Sequence, residues 1–483
     1  MAPHPSHPRR RADRPRSARR RTAHAPRALR RSDPRHPARE GPMTYTTSLN
    51  LTAGLDRALA WHEGGSVRYL VADLSAAGET ARREVPALNL ALAVDISGSM
   101  AGDKIEAARR AALAVVEALT AQDRLSLVAF DDKTELLLDA RPMDDAGRAA
   151  AASAIRGLTD RGSTNLFDGW LLAAERVATA MAADPAASHR VLLLSDGHAN
   201  DGLTDRNEIA GHVGALLERG VLTSALGIGD GYDEQLLGAI AETGGGSLHD
   251  AAGGTEVAEV VLGELQEGRA ALLERVTLRV SVPAELRAEL VGSWAQAASP
   301  GVLEVMVGKL LPGQTKRVVV RLHCLAGEPR MVLLLGISAG GTLPAGGEPI
   351  EARAVDVELR LARGADNNAQ PRDRDRTLAV VQAWTADVLR SAVRMNRDGD
   401  RRAATHYLER QLRWLEPYAR GVPGTETLVA ELVLVQRRIG EEWDERTRKE
   451  VYSASMKRAR YEKDLRAAPP VSITERFSRP PGR

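Results

Sequence analysis

The chain has 483 residues, 43% apolar and 27% charged, with one Cys, six Trp, seven Tyr and three Phe. That length suits two to four domains of ~100–200 residues each, and the composition is that of a soluble globular protein. One cysteine excludes an intramolecular disulfide framework and any multi-cysteine zinc or iron–sulfur site, and no apolar run approaches the ~20 residues of a membrane helix.

The net charge of +2 conceals a strong asymmetry. Residues 1–42 hold 13 Arg and 8 Pro against Asp13, Asp33 and Glu40, so they carry +10 and the other 441 residues carry −8. With no Phe, Trp or Tyr, residues 1–42 cannot build a core and are expected to be a disordered Arg/Pro-rich tail. Two readings of this tail stay open: an arm that meets nucleic-acid phosphates, or sequence upstream of a true start at Met43. A targeting peptide would need an apolar centre, which is missing. Without a secretory signal after Met43, a cytoplasmic protein is the expectation.

Residues 43–87 read as β structure, with Val67–Val71 as a strand and Trp61–Gly65 as a turn before it. Over 88–268 strands and helices alternate. Leu88–Val94 is a short apolar strand of the kind covered on both faces, and Ile105, Ala108, Ala112, Val115 and Leu119 form one helical stripe over 103–119. Strands at Leu125–Phe130, Val191–Leu194 and Val221–Gly227 follow, with helices at Ala146–Leu158, Leu166–Met181, Glu208–Arg219, Asp233–Thr243 and Gly254–Glu267. This repetition predicts an α/β, doubly wound, mainly parallel sheet with helices on both faces.

The period changes at 270. Val276–Val282 and Val355–Leu361 alternate strictly, and Val318, Val320, Leu322 and Cys324 share one face of a strand whose other face carries Arg317, Arg321 and His323. Residues 270–364 therefore read as a β-sandwich, with Cys324 inside it. Because 43–87 is too short to bury a sheet alone, its strands are expected to join this sandwich, with the α/β domain inserted between. Residues 364–376 look like a polar linker. A C-terminal α-helical segment is expected over 377–465, where Trp384 and Trp414 pack, followed by a disordered tail at 466–483.

Three loops at strand ends or helix starts carry the chemistry. They are Asp95-Ile96-Ser97-Gly98-Ser99-Met100, Gly162-Ser163-Thr164-Asn165-Leu166-Phe167-Asp168-Gly169 and Ser195-Asp196-Gly197. In open α/β sheets the carboxyl edge is where ligands bind. There Asp95, Ser97, Ser99, Thr164 and Asp196 would offer two carboxylates and three hydroxyls. Hard oxygens without His or Cys suit Mg2+ (or Mn2+ or Ca2+) rather than zinc. So few carboxylates leave the cation incompletely neutralised, favouring one further anionic ligand from another molecule. Helices starting after Ser99 and Thr164 would add positive dipole ends.

Asp95-x-Ser97-x-Ser99, followed in order by Thr164 and Asp196, resembles the metal-ion-dependent adhesion site of von Willebrand factor type A domains. The likeness covers about 88–268, includes all five motif positions, and is nearest to bacterial single-chain members. It implies a Rossmann-like fold and hydroxyl ligation by Ser97, Ser99 and Thr164. It also implies that Asp95 and Asp196 act through waters or hydrogen bonds, and that a partner's acidic side chain fills the sixth position. An inserted arrangement resembles that of integrin β subunits, and by resemblance metal occupancy would be linked to a shift of the helix Thr255–Glu267. Relatives of this kind often work beside ATP-driven chaperones or kinase/phosphatase systems.

Competing motifs fail. Gly227-Ile228-Gly229 lacks the third glycine of a dinucleotide fingerprint, since Tyr232 stands there. Ser97 and Ser99 lie in no G-x-S-x-G elbow, and His198 reads as a loop residue rather than a base. Asp131-Asp132 reads as a turn, with Asp131 able to reach the same edge, and Asp168 either supports the Thr164 loop or caps its helix. The expectation is a metal-dependent protein-binding module, not an enzyme, whose partner is a protein presenting Asp or Glu, with no membrane and with nucleic acid disfavoured. A metal-dependent phosphohydrolase is the alternative.

Overall fold

The computed structural model describes residues 47–78, 87–251 (without 186, 198, 230 and 231), 270–444 (without 293, 345 and 346) and scattered positions from 447 to 458. The expected tails at 1–42 and 466–483 and the expected helix at 254–267 lie outside the described residues.

Strands β1 (Ser48–Leu55), β2 (Leu59–Trp61) and β3 (Ser66–Ala77) precede the α/β segment. That segment runs β4 (Leu88–Asp95), α1 (Asp103–Ala118), β5 (Arg124–Phe130), β6 (Thr134–Pro142), α2 (Asp145–Arg156), α3 (Leu166–Ala183), β7 (Ser188–Ser195), α4 (Arg206–Glu218), β8 (Val221–Ile228), α5 (Glu234–Thr243) and β9 (Gly245–Ala251). Its sheet has the order β6-β5-β4-β7-β8-β9, parallel except for β6. This is the doubly wound order, and its direction of winding reverses between β4 and β7. Every residue of β4 is buried, because alternate side chains feed two cores. Leu90, Leu92 and Val94 pack beneath α1 and α2, while Ala91 and Ala93 pack against Trp170 and the helices α3, α4 and α5.

Strands β6 and β9 have no counterpart in the sequence pattern. β6 is an antiparallel edge strand with register shifts and a mostly exposed face, so no clean alternation marks it. β9 is rich in glycine, and strand periodicity cannot be read through such a segment.

After β10 (Leu273–Ser281) the chain forms β11 (Leu286–Val291), β12 (Ala295–Ser299), β13 (Val302–Leu310), β14 (Thr315–Cys324), β15 (Val332–Thr342), β16 (Pro349–Glu351) and β17 (Val355–Ala362). They join the first strands in two sheets, ordered β1-β3-β14-β11 and β12-β13-β10-β15-β17-β2. The sandwich thus closes only with both flanks of the α/β segment, and Leu70, Leu74, Leu278, Val320 and Leu335 share its core. Trp61 belongs to β2 rather than to a turn. The three residues of β2 pair parallel with β17, too short a run to show a period.

Polar residues 364–376 are not a free linker. They form α6 (Gly364–Ala369) and the start of α7 (Arg374–Arg397). Gln370 Oε1 accepts from Leu59 N at 2.7 Å and its Nε2 donates to Leu59 O at 2.8 Å, while Asp373 N donates to Asp56 O at 2.9 Å. Two further helices follow, α8 (Arg401–Ala419) and α9 (Glu426–Arg438), and the described positions from 447 to 458 are helical too. The Asp or Asn N-caps of α2, α3, α4, α5, α7 and α8 each accept a backbone N–H, worth about 1 kcal/mol apiece.

The segment from α7 covers the outer face of the β1-β3-β14-β11 sheet, where Tyr69, Val71, Val291 and Val319 meet Val380, Trp384 and Leu408. Arg321 is therefore not simply solvated. Its guanidinium stands 5.8 Å from the Tyr69 ring and 5.3 Å from the Trp384 ring. Trp384 packs as expected, but Trp414 is 66% exposed, since the stripe of α8 that faces inward runs through Leu408, Leu412 and Leu415. Cys324 is buried, which pushes its thiol up to about 11. No described helix is long and apolar enough to cross a membrane.

Asp56 fastens the helices to the sandwich: its Oδ1 accepts from Tyr69 N at 2.8 Å and its Oδ2 from the Tyr418 hydroxyl at 3.1 Å. Deleting that hydroxyl in Tyr418→Phe removes a hydrogen bond to a buried carboxylate. Urea unfolding should show a loss of about 1–3 kcal/mol, and an unchanged midpoint would contradict this role.

Candidate functional site

Five expected site residues fall at the carboxyl ends of β4 and β7, flanking the winding reversal, and on the loop leading into α3. Asp95 ends β4, in the last pair of the parallel ladder with β5, opposite Phe130. Ser97–Met100 then makes one turn of tight helix before α1, with Ser97 buried and Ser99 exposed. Asp196 follows directly on β7, and Thr164 precedes α3. Asp95, Ser97, Thr164 and Asp196 are all at most 1% exposed.

Backbone hydrogen bonds gather the three loops. Gly98 N donates to Gly162 O at 3.0 Å and Arg161 N to Ile96 O at 2.6 Å, joining the first loop to the second. Asn200 N and Asp201 N both donate to Thr164 O at 3.2 Å, and Thr164 N donates to Asn200 Oδ1 at 2.8 Å, joining the second to the third. The first and third meet through side chains: Ser195 Oγ donates to Asp95 Oδ2 at 2.5 Å and accepts from Gly197 N at 2.8 Å. Asp95 Oδ1 accepts from Ser97 N at 2.8 Å, and the Ser97 and Ser99 hydroxyls lie 3.1 Å apart.

The two carboxylates differ in their surroundings. Burial pushes Asp95 up to about 6, aided by the charge of Asp196 and opposed by hydrogen bonds from Ser195 and Ser97. Asp196 pairs instead with Lys104, whose Nζ is 2.9 Å from Oδ2. Its other oxygen, Oδ1, is buried and has no hydrogen-bond partner among the described residues.

Sequence reasoning misses Lys104, although its place in the first turn of the helix after Ser99 is a usable signal. Its stem crosses Gly229, where a Cβ would come within 2.8 Å of Lys104 Cε, and a Cβ at Gly227 would strike the Tyr232 ring at 2.6 Å. The glycines that mimic a nucleotide fingerprint are packing positions. Asp131 reaches the same edge, where Arg161 Nε holds its Oδ2 at 2.7 Å. Asp168 supports the Thr164 loop through Asn165, whose Nδ2 donates to it at 2.8 Å. His198 lies outside the described residues.

Residues 89–259 match the von Willebrand factor type A domain family. The chain carries a von Willebrand factor type A domain. The chain is 34% identical across 183 residues to an uncharacterized protein of Synechocystis sp., covering 38% of this chain and 42% of that one. It is 30% identical across 161 residues to inter-alpha-trypsin inhibitor heavy chain H3 of Mesocricetus auratus, covering 32% and 18%. The chain thus spans less than half the length of these relatives.

Among solved structures, von Willebrand factor type A from Catenulispora acidiphila aligns with a TM-score of 0.65 at 17% identity, covering 88% of this chain and 99% of that one. The ArnB paralog VWA2 from Sulfolobus acidocaldarius aligns at 0.53 and 16%, covering 84% and 98%. At these identities the fold alone is shared, yet the shared fold reaches beyond the von Willebrand factor type A domain.

Ser195→Ala removes the one hydroxyl that satisfies both Gly197 N and Asp95. The metal-free protein should lose about 1–3 kcal/mol in denaturant titration. A full retention of stability would show that this bridge does not hold the two loops together.

Proposed function

We propose that the chain is a metal-dependent protein-binding module. In this reading a divalent cation, Mg2+ or else Mn2+ or Ca2+, is held by the hydroxyls of Ser97, Ser99 and Thr164, with Asp95 and Asp196 beneath, and an Asp or Glu of a protein partner completes its coordination. The observation that carries the reading is Asp196 Oδ1, a buried carboxylate oxygen without a hydrogen-bond partner among the described residues. It stands beside a site whose remaining donors are hydroxyl oxygens. A buried polar atom is costly unless it is bonded, and a hard cation or its water is the ligand such an oxygen suits.

The donor set fits few other ions. Among the described residues no three His, Cys, Asp or Glu side chains converge to hold a metal, so a zinc cage is not what the site offers, and a hydroxyl-rich rim with two carboxylates is. When bound, the cation would supply charge that draws in an acidic side chain. Exposed Ser99 lies on the open side of the site and buried Asp95 on its floor, so the partner approaches over Ser99.

Binding rather than catalysis is supported by the partners of the serines. Ser97 and Ser99 face each other at 3.1 Å, and Ser195 donates its hydrogen bond to Asp95. Among the described residues these contacts are to hydroxyl and carboxylate oxygens, not to the His or Lys base that nucleophilic catalysis by serine commonly uses.

Mg2+ should raise the thermal midpoint of the wild type. The gain follows the occupancy of the native state and reaches about 2.7 kcal/mol at a hundred times the dissociation constant. Asp95→Ala and Asp196→Ala should abolish the gain, and EDTA should release captured partner from the wild type. Equal midpoints with Mg2+ and with EDTA would refute the proposal, and phosphoester turnover that disappears in Asp95→Ala would replace it with a hydrolase.

A further inference from the structure

We propose that Arg397, at the end of α7 in the helical segment, is a positioning residue for Asp196. The inference rests on the metal-binding reading of Asp196 given above and adds to it a residue outside the von Willebrand factor type A domain.

The path is short and every step is a contact. Asp196 O accepts a hydrogen bond from Asp233 N at 3.1 Å, so the backbone of the site residue is held by the residue that opens α5. Asp233 caps that helix, its Oδ1 accepting from Gln235 N at 3.0 Å and Leu236 N at 3.1 Å. Arg397 then grips the cap and the residue after it. Its Nη1 is 3.5 Å from Asp233 Oδ1, and its Nη2 donates to Glu234 Oε2 at 2.7 Å. Arg206 of α4 holds Asp233 from the other side, 3.6 Å from Oδ2.

Three features make the fit specific. Glu234 is fully buried, and a buried carboxylate needs a partner at close range, so Arg397 is not an optional surface charge. The cation sits in the last turn of α7 and the two acids at the start of α5, each on the helix end whose dipole favours it. Finally, Gly197 has φ +73, and a Cβ there would stand 2.9 Å from Asp233 N. The turn after Asp196 therefore accepts α5 only at this close approach. A second ion pair, Arg390 to Glu242 at 3.7 Å, seats α7 along the same helix.

Asp196 is consequently positioned from behind by a helix that the motif does not contain. When Arg397 is lost, the start of α5 is free to shift, the Asp233–Asp196 hydrogen bond opens more often, and the carboxylate leaves the geometry a cation needs. Outer partners of metal ligands typically change affinity by ~10–100-fold, and the lower end is expected here because the hold is two bonds removed.

The test uses the full chain. Mg2+ binding is measured by calorimetry, and exchange of the Asp233 amide by hydrogen exchange in metal-free protein, for wild type, Arg397→Gln and Arg397→Lys. The expected result is Mg2+ binding about tenfold weaker in Arg397→Gln, faster Asp233 exchange, and recovery of most of both in Arg397→Lys. A merely structural role would lower the thermal midpoint but leave Mg2+ affinity in the folded protein unchanged, and that result overturns the inference. If Arg397→Gln does not fold, Asp233→Asn decides. Asn caps a helix as well as Asp but drops the ionic hold, so weakened Mg2+ binding upholds the inference and unchanged binding overturns it. A wild type that binds no Mg2+ defeats the metal reading and this inference with it, whereas unchanged affinity in the variants of a binding wild type defeats this inference alone.

Discussion

Two carboxylates buried side by side at the winding reversal of the sheet are the constraint around which the rest is arranged. Asp95 and Asp196 are both completely covered, and burying one charge beside another is strongly unfavourable unless each is compensated. The fold compensates them differently. Asp95 receives Ser195 Oγ and Ser97 N, and Asp196 receives the Lys104 ammonium. Each donor comes from a loop or helix that must be in place first, so the two charges receive these partners only when β4, β7 and α1 have all assembled. The mutual dependence explains why the backbone between the loops is so densely bonded, from Gly98 to Gly162 and from Asn200 to Thr164.

The surrounding layers extend this dependence. The α/β sheet is set between strands of one sandwich, since β3 lies between β1 and β14, and the sandwich is roofed by α7 through Tyr69, Val71 and Val319. The same α7 runs on to α5 and ends at Asp233 and Glu234. A single helix therefore touches both the sandwich and the helix that backs the site. Asp56 adds a fixed point at the other end of the roof, shared by the sandwich strand carrying Tyr69 and the helix carrying Tyr418. Rigid elements joined at two places transmit displacement better than loops do, and here the joints are ion pairs and hydrogen bonds with defined partners.

Much of this is legible in the sequence where burial imposes a period. Leu88–Asp95, covered on both faces, reads as an apolar run, and Val355–Leu361, covered on one, as strict alternation. The Asp95, Ser97, Ser99, Thr164 and Asp196 positions stand out because hydroxyls and carboxylates cluster at strand ends. What escapes is determined by long-range pairing. β2 is three residues whose strand character exists only opposite β17, and β6 has an exposed face with irregular register. Residues 364–376 are mostly exposed, yet Gln370 bonds to β2 and Asp373 to Asp56, long-range partners that a polar stretch does not announce. The pairings of Lys104 and Arg397 escape for the same reason. Their partners are 92 and 163 residues away in sequence, so the local sequence around each names no partner, even where, as for Lys104, the position on the helix is a signal.

Formal charge would give the proposed site its selectivity. The Asp95 and Asp196 carboxylates against the Lys104 ammonium leave one net negative charge, while Asp131 is matched separately by Arg161. On the proposed reading a divalent cation turns that into one net positive charge within a floor from which water is excluded, where electrostatic interactions are stronger than in bulk solvent. A neutral ligand would leave the excess charge in place, and a cationic one would add to it. An incoming carboxylate neutralises it, and Ser99, the exposed member of the set, is where that carboxylate would arrive. A third inward-facing acid in place of one hydroxyl would close the charge balance internally and remove the reason to recruit a partner, so on the proposed reading the choice of Ser and Thr over Asp at 97, 99 and 164 would make the site a receptor for acids.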